Sequence, residues 1–328
     1  MATTTKTQIA DGQRDYFNRT LLMRASPHLM FDKYGQLRPI PLNISTLIRF
    51  RRYDALAVNT TALTEGTTPT EKQLAVTDVT ATLSQYGDFV VLSDLVMGTS
   101  IEQAMTEGVE VIGHQAGRSV DLIYRNILDA GTNVFYSNGA SRGAVNSVVD
   151  VDDLDRVIRG LEENDAEMIT RIVGASTGVD TTPISAGYIA VVHPHVLFTM
   201  RNLGSEWIPV YKYANQMKTI PGEVGAYKQI RFVMTTQSRI RTGAGAAGSG
   251  IKTTSGAADV YETLVFGQEA YGICPLKGRG LESIQKGIGS SGVADALNQR
   301  ASAGWKATVT AAILNDNFLA RLESASAS

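Results

Sequence analysis

Two glycine strings match the dinucleotide-binding fingerprint, in which backbone amides at the start of a helix hold a pyrophosphate. They are Gly243-Ala-Gly-Ala-Ala-Gly248 and Gly287-Ile-Gly-Ser-Ser-Gly292. The fingerprint works only between a strand and a helix. No helical pattern follows the first string, and no hydrophobic strand precedes the second. Both strings therefore favour loops over a cofactor site, and a dinucleotide-dependent enzyme stays as an alternative.

Two further residue pairs carry atoms that could bind a metal or act as a nucleophile, but the sequence lacks the other residues that such sites need. His193 and His195 could bind a metal together, yet the sequence offers no third ligand. We instead expect His193 to end a strand and Pro194 to begin a helix. Ser283 and Lys286 have the spacing of a serine–lysine nucleophile pair, but no supporting motif accompanies them.

Cys274, His28 and His114 stand alone in the sequence. Cys274 is the only cysteine and has no base nearby, so we expect a buried structural thiol rather than a nucleophile. His28 and His114 are isolated, and His114 lies on or beside a predicted helix. We expect a structural or solvent-facing role for both.

Two charged clusters complete the candidates. The acidic cluster consists of Asp150, Asp152, Asp153 and Asp155. Carboxylates at a helix start interact favourably with the helix dipole, and we prefer this explanation to a cation site. The basic cluster consists of Arg49, Arg51 and Arg52. These arginines could meet phosphate or acidic groups of a neighbouring subunit, and the balanced charge of the chain favours the neighbour.

The composition excludes several classes of protein. The 328 residues include 30 basic and 32 acidic side chains, a formal net charge of −2, which argues against a dedicated nucleic-acid binder. One cysteine excludes an internal disulfide. No secretory signal or membrane span is evident, which predicts a soluble, cytoplasmic chain. We predict no enzyme activity, no cofactor, and no catalytic, cofactor-binding or metal-binding residue.

The residue pattern in the first third of the sequence predicts extended elements. Residues 1–43 read as an arm, because their apolar side chains have no partner nearby and must lie on the rest of the chain or on a neighbour. Residues 44–90 predict a long β-hairpin around the polar loop 59–70. A two-stranded ribbon is marginal alone in water, so it is packed under other elements or held by another subunit.

Residues 99–130 have the clearest pattern in the sequence. Apolar residues recur there in steps of three and four, which predicts one long amphipathic helix. Gly108, Gly113 and Gly117 lie inside it, and each costs up to ~1 kcal/mol relative to alanine. We therefore predict the close approach of a neighbouring backbone, or a slight bend, at these glycines.

The pattern in the rest of the sequence predicts a mixed α+β fold. Helices are expected over 152–172 and 195–203, strands over 188–192, 230–239, 260–266 and 305–314, and a mobile glycine-rich loop over 242–256. No internal repeat is present.

This order of elements resembles the major capsid protein of tailed bacteriophages. Local strings are similar to one coat-protein family of that fold, the type found in N-four-like podophages. The strings are Arg49-Phe-Arg-Arg-Tyr53, Leu63-Thr-Glu-Gly66, Phe266-Gly-Gln-Glu-Ala-Tyr-Gly272, Leu297-Asn-Gln-Arg300, Gly304-Trp-Lys306 and Ile313-Leu-Asn315. The resemblance covers nearly the whole chain, with Ala296 where a proline is expected.

The resemblance implies a structural coat protein with four parts. They are an N-terminal arm (1–43), an E-loop β-hairpin (44–98), a peripheral domain (99–150 and 270–328) with a spine helix (99–130), and an axial domain (151–269). Copies would form the pentamers and hexamers of an icosahedral head around double-stranded DNA. The E-loop would lie across a neighbour in the same capsomer, and the arm against an adjacent subunit.

The implied partners are other copies of the chain, a separate scaffolding protein, the portal and weakly held DNA. A decoration protein is compatible with this interpretation, whereas a membrane is not. The chain would reside in the virion capsid after assembly in the host cytoplasm. An encapsulin-like nanocompartment shell with the same fold is the main alternative.

Overall fold

The structure is a computed structural model that combines helices and sheets. It describes residues 16, 18–43, 45–53, 56–63, 65–66, 68–69, 71–99, 104–173, 182–215, 219–290, 295 and 297–328. The α-helices in these residues are α1 (18–25), α2 (Asp94–Thr99), α3 (Ala104–Leu128), α4 (Val151–Glu163) and α5 (Pro194–Met200). The strands are β1 (Gln36–Leu37), β2 (Leu47–Tyr53), β3 (Val76–Thr82), β4 (Ser84–Ser93), β5 (Val134–Tyr136), β6 (Tyr188–Val192), β7 (Trp207–Pro209), β8 (Glu223–Tyr227), β9 (Ile230–Met234), β10 (Ile240–Arg241), β11 (Thr253–Thr254), β12 (Ala257–Ala258), β13 (Val260–Phe266), β14 (Tyr271–Pro275), β15 (Glu282–Lys286), β16 (Arg300–Ile313) and β17 (Leu319–Ser324).

Two large sheets organise the chain. The five-stranded sheet has the order β1-β14-β16-β15, and β4 pairs with β16 along its other edge. The eight-stranded sheet has the order β5-β17-β13-β6-β9-β8-β7, with β10 also paired to β13. Most pairs are antiparallel, and helices cover the sheets rather than alternate with the strands. The predicted α+β class is therefore confirmed.

The predicted long helix is present as α3. Its buried apolar residues are Val109, Ile112, Ala116, Val120, Tyr124 and Leu128, and they pack on the five-stranded sheet. Residues 100–103, where the prediction placed the start of the helix, lie outside the described residues. The helix ends at Leu128, whose carbonyl accepts a hydrogen bond from the amide of Gly131 at 3.2 Å. Before it lies the short helix α2, which the sequence analysis did not predict.

The described part of the arm packs on its own chain. Helix α1 crosses α3 where a Cβ on Gly113 would lie 3.0 Å from the carbonyl oxygen of Leu21. At Gly117, a Cβ would lie 2.5 Å from the carbonyl oxygen of Ala25. The predicted close approach of a backbone is thus confirmed at two glycines, but it is wrong at Gly108, which faces open space.

Beyond α1, the arm is held by hydrogen bonds. The carboxylate of Asp121 on α3 accepts from the backbone amides of Met30 and Phe31 at 2.7 and 2.9 Å. The hydroxyl of Tyr271 donates to the carbonyl of Phe31 at 2.6 Å. Strand β1 then pairs in parallel with β14. These bonds explain how an arm without its own core stays ordered.

The ribbon is shorter than the predicted hairpin. Strands β2 and β3 pair over seven residues each, from Leu47 opposite Thr82 to Tyr53 opposite Val76. Residues 84–93 do not continue the ribbon as predicted, because they leave it and pair with β16. The base of the ribbon packs on the five-stranded sheet through buried Phe50, while every described residue from 56 to 75 is exposed.

The eight-stranded sheet is covered on both faces. In β6, the residues Tyr188, Ala190 and Val192 pack with α4 and α5, whereas Ile189 and Val191 face the core around α3. Successive side chains of a strand point to opposite faces, so a continuous apolar run is expected for a strand buried on both sides.

Several predicted boundaries need correction. The helix predicted over 152–172 ends at Glu163, and the helix predicted over 195–203 spans Pro194–Met200. The strand predicted over 230–239 ends at Met234, and the strand predicted over 305–314 is Arg300–Ile313. Strands β8, β14, β15 and β17 were not predicted, because polar residues or glycine interrupt their apolar pattern.

The approach of α1 to α3 predicts opposite effects for two glycines of one helix. Gly117→Ala should destabilise the chain by about 1–3 kcal/mol, because its Cβ would overlap the backbone of α1. Gly108→Ala should stabilise it by up to ~1 kcal/mol through helix propensity. Urea unfolding followed by circular dichroism measures both. Equal effects of the two substitutions would contradict the packing described here.

Candidate functional site

The first glycine string does not form a phosphate loop. It lies between β10 and β11, so no helix follows it. The amide of Gly245 bonds the carbonyl of Ala258, and that of Ala246 bonds the carbonyl of Val145, each at about 3 Å as in other backbone pairs. These amides are therefore not free for a ligand. The predicted mobile loop 242–256 is tied down in its first half, although most of its residues from 247 onward are exposed.

The second glycine string has a different context from the one predicted. Strand β15 directly precedes it, whereas the sequence analysis expected no strand there. Gly287 and Ser290 close a turn, with the amide of Ser290 bonded to the carbonyl of Gly287 at 3.2 Å. The last two residues of the string and residues 293, 294 and 296 lie outside the described residues.

The histidine pair forms a helix start. His193 is the N-cap of α5, and its Nδ1 accepts from the backbone amide of His195 at 3.2 Å. Pro194 occupies the first turn as predicted. Burial, with His195 and Lys252 nearby, lowers the pKa of His193 to about 4. In the described part of the chain, no three histidine, cysteine or acidic side chains are grouped to hold a metal ion.

The two nucleophile candidates are not activated. Ser283 and Lys286 lie on β15, where residues three apart point to opposite faces of the strand, so the pair does not assemble. The hydroxyl of Ser283 accepts instead from Gln285 at 3.1 Å. Cys274 is fully buried in β14, and burial raises the pKa of its thiol to about 12. This is the inert thiol that the sequence predicts.

The acidic cluster serves the helix start that was expected. Asp150 caps α4 and forms a capping box with Asp153. Asp153 also pairs with Arg156. Asp155 points elsewhere, to the ammonium of Lys228 at 2.7 Å. The carboxylates thus separate toward different partners rather than converge on one point.

His28 and His114 are not isolated, contrary to expectation. His28 Nε2 lies 2.9 Å from His114 Nδ1, and the rings meet edge to face with centroids 5.1 Å apart. The pair joins the arm to α3, one turn from the Arg24–Glu110 ion pair. Burial, His114 and nearby positive charge lower the pKa of His28. Residues 86 apart in sequence give no local signal of such a contact.

The three ribbon arginines have separate environments. Arg51 pairs with Asp78 on the facing strand at 3.2 Å. Arg52 donates to the carbonyl of Leu314 at 3.4 Å and so helps to hold the ribbon on the sheet. Arg49 is exposed. The expected contact with a neighbouring subunit stays a prediction for this cluster.

A buried network of charges was missed by the sequence analysis. It lies between the end of α3 and strands β10, β13 and β17 of the eight-stranded sheet. Its members are Asp129, Glu262, Glu323, Arg142, Arg239, Arg241 and Arg321. The carboxylates are almost entirely buried, at 7%, 1% and 0% exposure. Charged residues at alternate positions of otherwise apolar strands are the signal that could have revealed it.

Glu323 is the most deeply buried member of this charge network. Arg142 holds it with two hydrogen bonds, from Nε at 2.7 Å and Nη2 at 2.6 Å. Arg321 lies on the same strand face, with Nε 3.0 Å from Glu323 Oε1. Such bidentate pairs satisfy a carboxylate that has lost its water.

Arg241 links the other two carboxylates of the charge network. Its Nη2 lies 2.8 Å from Asp129 Oδ2, and its Nε bonds Glu262. Burial and the nearby Asp129 raise the pKa of Glu262 to about 7, against the opposing effect of Arg241. The network therefore connects α3 to β10 and β13 through buried ion pairs, and separating such pairs costs several kcal/mol of free energy, about 3–5 kcal/mol when one partner is removed.

Two surfaces expose large apolar side chains. The ribbon tip, residues 56–75, presents Leu56, Val58 and Leu63 at 50%, 87% and 75% exposure. The face of the five-stranded sheet opposite α3 presents Phe89 and Ile284 at 67% and 41%. Contiguous exposed apolar surface marks sites of protein association.

The charge network predicts a large and specific loss of stability. Glu323→Ala should lower the free energy of unfolding by about 3–5 kcal/mol, because it removes the buried carboxylate that Arg142 and Arg321 share. Glu163→Ala is the matched control, since the Arg159–Glu163 pair is 3.7 Å long and both side chains are 70% exposed. That control should change stability by no more than about 0.5 kcal/mol. Denaturant unfolding distinguishes the two, and similar losses would contradict the assignment.

None of the described helices combines the length and the apolar character needed to cross a membrane. No protein-family model matches the sequence, and no curated protein matches it either.

Solved structures do match the fold. The capsid of cyanophage P-SCSP1u has a TM-score of 0.60 at 14% identity, covering 91% of this chain and 89% of that one. The capsid of Ralstonia phage GP4 has a TM-score of 0.66 at 11% identity, covering 90% and 87%. The SrpI encapsulin from Synechococcus elongatus PCC 7942 has a TM-score of 0.53 at 11% identity, covering 98% and 91%. The chain therefore has the mixed α+β fold of phage capsid proteins, which an encapsulin shares.

Proposed function

We propose that this chain is a structural capsid protein that assembles with copies of itself into a closed shell. The observation that carries the proposal is the likeness to phage capsid chains over about nine-tenths of both chains. The exposed ribbon tip and the exposed apolar sheet face support it, because no segment of the single copy that the structure describes covers either of them. The candidate catalytic groups are buried, apart or engaged, which supports a chain without enzyme activity.

The proposed parts follow the order of the elements. Residues 1–43 act as the N-terminal arm, 44–98 as the E-loop, 99–150 with 270–328 as the peripheral domain, and 151–269 as the axial domain. Helix α3 is the spine of the peripheral domain. The two sheets support the division in part. Helix α3 and strands β14, β15 and β16 of the five-stranded sheet lie in the peripheral segments, while β1 comes from the arm and β4 from the E-loop. Most strands of the other sheet belong to 151–269.

The proposed assembly is an icosahedral phage head built of pentamers and hexamers around double-stranded DNA. The N-four-like podophage type is the finer assignment, supported by the sequence strings. A near-neutral chain suits this role, since the inner surface must accept dense DNA without binding it tightly. A separate scaffolding protein, the portal and a decoration protein are the further partners. Assembly takes place in the host cytoplasm and the product is the virion capsid.

A nanocompartment shell is the second candidate, favoured by the encapsulin match over 98% of this chain. It uses the same subunit contacts but encloses protein instead of DNA. The contents of the particle, rather than the fold of the subunit, separate the two functions.

The first test is electron microscopy of the assembled fraction after co-expression with neighbouring genes. We expect uniform angular shells, with absorbance at 260 nm well above that of protein alone when they are filled with DNA. Shells filled only with protein would replace the phage head by the nanocompartment. Failure to form any shell with a scaffolding protein present would overturn the proposed function.

Removing the ribbon tip should abolish assembly without unfolding the subunit. The deletion removes residues 60–70 of the ribbon tip, which are exposed wherever they are described, so it removes no core contact that the structure describes. A Gly/Ser replacement of equal length keeps the connection and tests the side chains alone. Circular dichroism and size-exclusion chromatography report the fold, and microscopy reports the shells. Normal shells from both variants would contradict the role proposed for the E-loop.

A further inference from the structure

The outer face of the five-stranded sheet contains one apolar row between two polar rows. Asp88 on β4 meets Gln115 of α3 at 2.5 Å, so the odd-numbered residues of β4 point away from the helix. The register of β4, β16 and β15 aligns three rows on this outer face: Gly87, Lys306 and Glu282; Phe89, Gly304 and Ile284; Val91, Ser302 and Lys286.

The apolar row has a gap in its middle. Phe89 and Ile284 stand on either side of Gly304, which has no side chain to fill the space between them. A Cβ on Gly304 would lie 2.8 Å from the Cβ of Phe89, so the gap depends on glycine at this position. Gly87 lies diagonally beside it and leaves further space. The result is a cleft of about 460 Å³, which we call the Gly304 notch.

Positive charge borders the Gly304 notch. Lys306 lies in one neighbouring row and Lys286 in the other, and both line the cleft. Within the described part of the chain, neither lysine forms an ion pair. Glu282 is the acidic neighbour of Lys306, but its carboxylate lies 3.5 Å from Arg279. An occupant that fits would therefore place an apolar side chain over Gly304 and a carboxylate toward a lysine.

The ribbon tip has the complementary chemistry. Residues 56–75 contain two acidic residues, Glu65 and Glu71, and one basic residue, Lys72, whose ammonium donates to the carbonyl of Ala57 within the same tip. Leu63 is 75% exposed, two residues before the exposed Glu65. Because Leu63 is so exposed, it does not fill the Gly304 notch of its own chain. The occupant supplied by this sequence must then come from a second copy.

We propose that the Gly304 notch receives Leu63 from the ribbon tip of a second copy, with Glu65 of that copy paired to Lys306 or Lys286. This rests on the proposed function and assigns residues to one of its contacts. It also gives a role to Leu63 and Glu65 at the exposed tip and to Gly304 and Lys306 on the outer sheet face, whereas Trp305 between the last two is buried in the core. The apolar contact supplies burial, and the charges supply register and orientation.

Disulfide trapping between differently tagged copies tests the contact. Shells are assembled from one mixture that contains a minority of Leu63→Cys copies, a minority of Ile284→Cys copies and a majority of wild-type copies. The wild-type majority keeps the assembled shells intact. After oxidation with glutathione, a 63–284 disulfide between the two tags is expected, because only cysteines with Cα atoms about 4–7 Å apart can be bridged. The native Cys274 is fully buried and gives little background.

The control pairs Leu63→Cys with Ile172→Cys, a residue 65% exposed outside the notch. The 63–284 yield should exceed the control by at least about tenfold, since proximity raises the effective concentration of one thiol near the other. Shells with equal yields for both pairs would overturn this proposal and leave the proposed function intact. Absence of shells from wild-type copies would instead refute the proposed function.

A charge reversal tests the ion pair independently. Replacing both lysines with Lys286→Glu and Lys306→Glu should lower the fraction of subunits in shells, and Glu65→Lys in the same chain should restore it. Circular dichroism confirms that the subunits remain folded. Rescue of the assembled fraction supports the pairing, and a triple variant that assembles no better than the double variant contradicts it.

Discussion

The long helix α3 sets the constraint on which the rest of the fold depends. A helix of 25 residues extends about 37 Å, too far to be buried by one short element. One face meets the five-stranded sheet, and Gly113 and Gly117 let the backbone of α1 approach another. Glycine costs helix stability, but here it allows an arm without its own core to dock closely. The ordered arm is therefore a consequence of the sequence of α3.

The far end of α3 is fixed by charge rather than by apolar packing. Asp129 follows the helix and meets arginines from the eight-stranded sheet, so the two halves of the chain share one buried network. Ion pairs removed from water contribute little net stability compared with apolar contacts, but breaking one partner is costly. Such a junction resists sliding of the helix along the sheet, because a displaced Asp129 would lose several arginine partners at once.

Local patterns were predictable from the sequence, and distant pairings were not. The periodicity of α3 and the apolar run of β6 identified both elements, since each reports burial of consecutive residues. Strand β15 was missed because polar Glu282 and Lys286 share its exposed face. The pairing of β4 with β16 joins residues more than 200 apart, and no local pattern encodes that register. The His28–His114 contact and the charge network were missed for the same reason.

Distance along the sequence also explains why the exposed apolar row was harder to predict than the fold. Phe89, Gly304 and Ile284 come from three distant segments and become one row only through the sheet register. Once aligned, they leave apolar surface that no described segment of the chain covers. Such a row is apolar surface outside the core of the single copy, and exposed apolar surface is typical of sites of protein association. Modest contacts of this kind become strong when symmetry repeats them around a closed shell.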